Sequence, residues 1–270
     1  MVEVAEAAGV GVDGRKRPTE DRVVLLPNAV LLLDGATELR PEMRGGGWYA
    51  EQLSMELARR LTEAPDAALT DVLAAAITAL ADSHGLRPGA SPSSTVAILR
   101  WTEDTVDGLV LADSPIVVYT VDGPDPLTDD RLAALRPSGG GYRDRLRGGG
   151  GFGADHAAAL RVGADRTGRL RNVPGGFWVA EADPAAAAQA RTRRWPRSRV
   201  RAVVLASDGV SCGVDDYGLF DWSRVLRIAE ERGVGEVLAQ VRAAERDDPG
   251  GVRWPRSKRH DDQALAVVRF

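Results

Sequence analysis

Five acidic motifs stand beside strand-like apolar runs in this chain: Thr19-Glu20-Asp21-Arg22, Leu33-Asp34-Gly35, Leu111-Ala112-Asp113-Ser114, Ala206-Ser207-Asp208-Gly209 and His260-Asp261-Asp262-Gln263. A sixth, Ser93-Ser94-Thr95-Val96, has the same setting without an acid. A carboxylate at the end of a buried strand is costly unless a cation neutralises it, so five of them point to one shared site for hard cations. Mg2+ and Mn2+ take octahedral oxygen shells and keep several waters, so a two-ion site needs few carboxylates, at least one of them bridging. Two such ions about 3.5 to 4 Å apart bring the pKa of a shared water near neutrality, and the resulting hydroxide is a nucleophile. No Ser-His or Cys-His pair is then required, in agreement with a chain of three histidines and one cysteine. Each motif alone is the ordinary signature of a turn or a helix cap; the weight lies in the ordered set.

The elements that must position these residues follow from hydrophobic periodicity. Val2 to Val12, Val23 to Leu26 and Val30 to Leu33 read as strands separated by turns. After Gly45-Gly46-Gly47, Trp48 or Tyr49, Leu53, Leu57 and Leu61 recur at helical spacing. A second helix carries Leu69, Leu73, Ala76, Ile77 and Leu80, and Gly85 suits its C-terminal cap. Thr95 to Trp101, Gly108 to Ala112 and Ile116 to Thr120 return to strands. Strands, two helices, then strands is not the strict alternation of a parallel doubly wound sheet. It fits an α+β, four-layer α/β/β/α sandwich, two antiparallel sheets face to face with helices outside.

From Asp122 to about Ser198 the signal weakens into glycine clusters, arginines and the alanine run Ala185 to Ala188. Val200 to Ala206 reads as a buried strand, Trp222 to Val241 as two helices broken near Gly233, and Ala264 to Phe270 as a last strand. The sequence Arg194-Trp195-Pro196-Arg197-Ser198 recurs as Arg253-Trp254-Pro255-Arg256-Ser257 and is expected to form two solvated basic turns, with phosphate recognition the lesser reading.

At 270 residues, 44% hydrophobic and 27% charged, the chain can bury one sizeable core and has neither a disordered nor a membrane composition. A net charge of -4 argues against a nucleic-acid partner. The single Cys212 excludes an internal disulfide framework and is expected to be a small buried residue. No targeting signal or membrane-length apolar run stands out, so a cytoplasmic, monomeric protein of one domain, residues 1–270, is expected.

The order and flanks of the motifs resemble the protein phosphatase 2C family of metal-dependent serine/threonine phosphatases, bacterial type with divergent motifs, over nearly the whole chain. The resemblance implies that Glu20, Asp21, Asp34, Gly35 (through its carbonyl), Asp208 and Asp261 hold two Mg2+ or Mn2+ ions, Asp34 bridging, with Asp262 in reserve for Asp261. Asp113 is implied as a ligand, with Asp208, of a third and weaker ion, though Ala112-Asp113-Ser114-Pro115 departs from the family's Gly-Asp-Ser-Arg. Ser93-Ser94-Thr95 corresponds to a structural Gly-Ser-Thr. Family members carry a phosphate-binding arginine before the Glu-Asp pair, and here Arg15, Lys16 and Arg17 occupy that region; Arg17 is preferred for its guanidinium fork, with Lys16 beside it. Where many relatives continue Asp-Gly with His or Met, this chain has Ala36-Thr37-Glu38, so a histidine acid is absent there and Glu38 is a surface residue or an assisting group.

What the resemblance implies is hydrolysis of phosphoserine or phosphothreonine on a protein, by attack of a metal-bridging hydroxide, with a flap-like insertion around 122–198 selecting the substrate. The alternative is a catalytically weak or inactive pseudophosphatase that binds a phosphoprotein or a regulator. A third reading keeps the metals and exchanges the protein for a small phosphorylated metabolite.

Overall fold

The run from Ala29 to Leu33 is apolar at every position because the strand it forms is buried on both faces. In β3 (Ala29–Asp34), Val30 and Leu32 enter the space between two sheets, while Leu31 and Leu33 meet helices on the other side. The same division holds in β9 (Val200–Ala206), where Val203 and Leu205 face the other sheet and Val204 and Ala206 face helices. Continuous apolar runs therefore mark central strands covered on two sides.

The computed structural model describes residues 1–37, 44–136 and 139–270. The remaining strands among them are β1 (Val2–Ala7), β2 (Asp21–Leu26), β4 (Val96–Trp101), β5 (Thr105–Leu111), β6 (Ile116–Thr120), β7 (Gly123–Leu127), β8 (Arg191–Pro196) and β10 (Gln263–Arg269). They form two five-stranded antiparallel sheets, ordered β1-β10-β9-β6-β7 and β2-β3-β4-β5-β8. Helices α1 (Gly46–Glu63) and α2 (Leu69–His84) cover the second sheet through Leu53, Leu57, Leu73 and Ile77. Helices α6 (Asp208–Asp215), α7 (Trp222–Arg232) and α8 (Val234–Asp247) cover the first, with Val225, Val237 and Val241 against Leu265 and Val267. The expected four-layer sandwich is the observed one. Gly85 ends α2 in the left-handed conformation, φ 63°, as its sequence position predicts.

Segment 122–198 opens and closes with edge strands, β7 pairing with β6 and β8 with β5. Both hide their identity in sequence for a physical reason. β7 reads Gly-Pro-Asp-Pro-Leu, and an edge strand tolerates prolines because one of its ladders is unpaired. β8 is mostly exposed arginine, the charged edge that discourages association with other strands. Between them lie α3 (Arg131–Ala134), α4 (Gly141–Arg147), α5 (Ala154–Gly168) and a 3-10 turn at Pro184–Gln189.

The repeated Arg-Trp-Pro-Arg-Ser is not a pair of solvated turns. The first copy runs along β8, where Trp195 is buried and its Nε1 donates to Asp125. The second packs Trp254 and Arg256 into the interior, where Arg256 donates to Asp248 and to the carbonyls of Glu245, Asp248, Trp254 and Arg259. A basic pentapeptide is buried here because the helix-end carbonyls of α8 need donors.

Candidate metal and active site

Antiparallel register brings the first two carboxylates together. Asp21 opens β2, Asp34 closes β3, and the two are direct cross-strand partners. Like charges placed opposite one another repel. The backbone of Asp34 is pinned from the next strand: its N–H donates to Thr95 Oγ1 at 3.0 Å, and its carbonyl accepts from the Thr95 N–H at 2.9 Å and from Ser94 Oγ at 3.0 Å. Ser93-Ser94-Thr95 thus has the expected structural setting.

The other sheet delivers its acids at the same end. β9 runs into Ser207, and Asp208 is the first residue of α6, while Asp261 lies two residues before β10, the strand paired with β9. Ser207 ties the two chain segments, its N–H donating to the Ala264 carbonyl and its Oγ accepting from the Ala264 N–H. Gly209 permits the close approach, since a Cβ there would stand 1.8 Å from the carbonyl oxygen of Asp262.

Burial and mutual repulsion dominate the electrostatics. Burial, with the charges of Asp262 and Asp261, pushes the Asp21 carboxyl up to about 7, although Ser207 and Asp34 lie close enough to temper the rise. Neither carboxylate oxygen of Asp21 finds a hydrogen-bond partner. Half-buried Asp34 is pushed well above the ordinary range by desolvation and by Asp21, Asp208 and Asp261, and Asp208, whose side chain reaches solvent, is shifted the same way by the protein crowded around it and by Asp261 and Asp113. Asp113, on the turn after β5, is raised by burial and feels Asp129 and Asp261. Asp21, Asp34, Asp208 and Asp261 therefore form one interacting cluster with Asp113 at its margin.

Two side-chain cations enter the cluster. Arg17 binds Glu20 Oε2 at 2.8 Å and Asp262 Oδ2 at 2.5 Å, and its Nε is buried without a partner. Lys258 Nζ lies 2.6 Å from Asp261 Oδ1 and 3.9 Å from Glu20 Oε2. Burial alone would raise Asp261, yet the charge and hydrogen bond of Lys258, the Asp262 N–H and the charge of Arg17 together hold that carboxyl below its ordinary value. Asp262 is buried and fixes loops, accepting from the N–H groups of Gly9 at 2.8 Å and Glu20 at 3.3 Å. Lys16 and Arg15 are exposed. Glu38 lies outside the described residues.

Among the described residues, no three acidic or histidine side chains already converge on one point as a ready-made metal cage. The orphaned oxygens of Asp21, opposite Asp34, nonetheless fit a hard cation, which would satisfy lone pairs that have no hydrogen-bond partner. Gly35 is fixed by its neighbours, because a Cβ on it would meet the backbone of Gly46, at the start of α1, at 2.3 Å.

A cleft of about 610 Å3 opens beside the cluster, lined by Arg17, Glu20 and Thr37 on one wall and by Phe152, Ala157 and Arg259 on another. Helix α5 supplies Ala157 to that wall and is docked through His156, whose Nε2 donates to the Ser257 carbonyl at 2.7 Å. A more open depression of about 820 Å3 lies around Asn28, Trp101 and Phe270, at the far end of the β2–β3 hairpin. It contains a single acidic side chain, Glu103, and none of the cluster.

Sequence reasoning did not identify Lys258, Thr37 or Ser207 as members of the site. Thr37 Oγ1 donates to Glu20 Oε2 at 2.9 Å. A signal for Lys258 existed: it is one of only two lysines among 35 basic residues, and it sits three positions before Asp261.

No family model matches this chain, and no curated protein does. Solved structures do. The serine/threonine phosphatase Stp1 from Staphylococcus aureus is similar over 100% of this chain and 94% of its own, with 14% identity and a TM-score of 0.57. The PPM Ser-Thr phosphatase MsPP from Mycobacterium smegmatis is similar over 100% and 98%, with 14% identity and a TM-score of 0.58. The catalytic domain of the serine/threonine protein phosphatase PstP, in complex with two manganese ions, is similar over 99% and 96%, with 13% identity and a TM-score of 0.55. At such identities the likeness is one of fold: end to end, this chain is built as the bacterial serine/threonine phosphatases are.

Proposed function

We propose that the protein is a Mg2+- or Mn2+-dependent phosphatase that removes phosphate from phosphoserine or phosphothreonine on a protein. The observation that carries this reading is the gathering of Asp21, Asp34, Asp208 and Asp261 at one end of the two sheets, Asp21 opposite Asp34 in register and Asp208 and Asp261 at the adjoining ends of the paired β9 and β10, with the buried oxygens of Asp21 unpartnered, in a phosphatase-like fold. A divalent ion bound there would act as a Lewis acid and bring the pKa of a coordinated water near neutrality. Asp21, Asp34 and Asp208 are its proposed ligands, with the Gly35 carbonyl, Glu20 and Asp261 at the edge and Asp113 toward a weaker site.

The chain's own groups supply the rest. Arg17 is the proposed phosphate ligand: Glu20 and Asp262 hold its plane, and its Nε–H has no acceptor of its own. A fork already oriented loses less freedom when it meets a phosphate. Lys16 is exposed beside it and would add charge at the rim. The α5 side of the cleft, with Phe152 and Arg259, is where a peptide would lie, so segment 122–198 is the proposed source of selectivity.

The test is hydrolysis of a phosphothreonine peptide. Turnover should appear only with added Mn2+ or Mg2+, and Asp34→Asn or Asp208→Asn should abolish it. Turnover that persists in excess chelator, or in both variants, would refute the mechanism. One observation favours the pseudophosphatase as second reading: Glu20 and Asp261 already have Arg17 and Lys258 as cations. Phosphopeptide binding without turnover or metal uptake would select it.

A further inference from the structure

We propose that the Lys258 ammonium is a built-in replacement for one of the two cations expected here, leaving a single tightly held divalent ion among Asp21, Asp34 and Asp208. This rests on the metal-dependent reading above.

The cluster divides into two parts. Glu20 and Asp261, both expected as metal ligands, are already neutralised. Lys258 Nζ contacts Asp261 Oδ1 at 2.6 Å and approaches Glu20 Oε2 at 3.9 Å, while the same Glu20 oxygen takes Arg17 at 2.8 Å and the Thr37 hydroxyl at 2.9 Å. Asp21, Asp34 and Asp208 have no cation in direct contact among the described residues, although the Lys258 charge reaches Asp34 and Asp208 at longer range, and the Asp21 oxygens are buried without a hydrogen-bond partner. A second ion would have to displace a buried ammonium from its carboxylate.

Lys258 is also held in place. Its side chain is only 7% exposed. The loop on either side is clamped: Arg256 Nε donates to the Arg259 carbonyl at 2.9 Å, and His156 Nε2 donates to the Ser257 carbonyl at 2.7 Å. Residue choice points the same way, because a chain that uses arginine almost everywhere has a lysine here. An ammonium is a compact point charge of the kind that can stand in for an ion among carboxylates, whereas a guanidinium is a planar fork.

The experiment counts Mn2+ by equilibrium dialysis and calorimetry on the intact chain and on Lys258→Met and Lys258→Gln, all purified with Mn2+ present. The wild type is expected to hold one ion tightly and the variants two, with a larger rise in melting temperature on Mn2+ addition in the variants. Two ions of comparable affinity on the wild type, or one ion still on the variants, would overturn the inference while leaving the metal-dependent reading intact. No ion on any of them would overturn both. Should the variants fail to fold, the wild-type count alone decides.

Discussion

Replacing Asp21 by asparagine should stabilise the metal-free protein while abolishing its metal site. The Asp21 carboxyl is 0% exposed and has no hydrogen-bond partner, and burial beside Asp262 and Asp261 raises it from the ordinary 3.8 to about 7. The folded state therefore holds the proton more firmly than the unfolded one. Its contribution to stability is complete below pH 3.8 and is lost as pH rises through 7. A rise of that size corresponds to about 4 kcal/mol of repulsion and desolvation at pH 8. The side-chain amide that takes the carboxylate's place is still desolvated, so the expected net gain is about 1 to 3 kcal/mol. Urea denaturation in excess chelator measures it: the difference between Asp21→Asn and wild type should be near zero at pH 4 and grow to its maximum above pH 7. With Mn2+ present the order should reverse, since only the wild type gains the ion's binding energy. An Asp21→Asn protein less stable than wild type in chelator at pH 8 would refute the account of this carboxylate.

Other outcomes follow from the same geometry. Gly209→Ala places a Cβ 1.8 Å from the Asp262 carbonyl oxygen, so α6 and the loop before β10 must separate; a loss of about 3 kcal/mol in a denaturant titration and weaker Mn2+ binding are expected. Arg17→Ala leaves Glu20 and the buried Asp262 without their guanidinium, and should cost about 2 to 3 kcal/mol together with a rise in KM for phosphopeptide. Arg256→Met removes a buried donor from Asp248 and from four carbonyls, and thermal melts should show a loss of about 3 kcal/mol.

The two sheets were legible because central strands buried on both faces must be apolar throughout, as Ala29 to Leu33 and Val200 to Ala206 are. The acids were legible because they terminate those same strands. The edge strands were not, since solvent on one ladder admits the prolines of β7 and the arginines of β8, which carry no strand pattern. Helix α5 was also hidden: only His156 and Leu160 are buried on it, too few to write a stripe. Lys258 escaped for a different reason. Its role depends on the side chains it meets, and from sequence alone its loop reads as one more basic turn.

The division of the cluster also bears on whether it is a catalytic site or a bare docking surface. An acidic patch kept only to fold or to dock a partner gains nothing from a buried Asp21 set against neighbouring carboxylates, and a chain able to place Arg17 and Lys258 beside Glu20, Asp261 and Asp262 had the means to neutralise the rest. Instead Asp21 faces Asp34 across a strand pair with no donor to its oxygens, a local arrangement that opposes folding. Proteins keep such violations where function requires them. The three carboxylates with no cation in direct contact among the described residues are those best placed to receive an ion, which is why the metal-dependent reading is preferred to the docking one. Asp208→Asn offers the sharpest comparison: in chelator it should be at least as stable as wild type, and in Mn2+ it should lose the ion-induced rise in melting temperature. A docking surface would show neither effect.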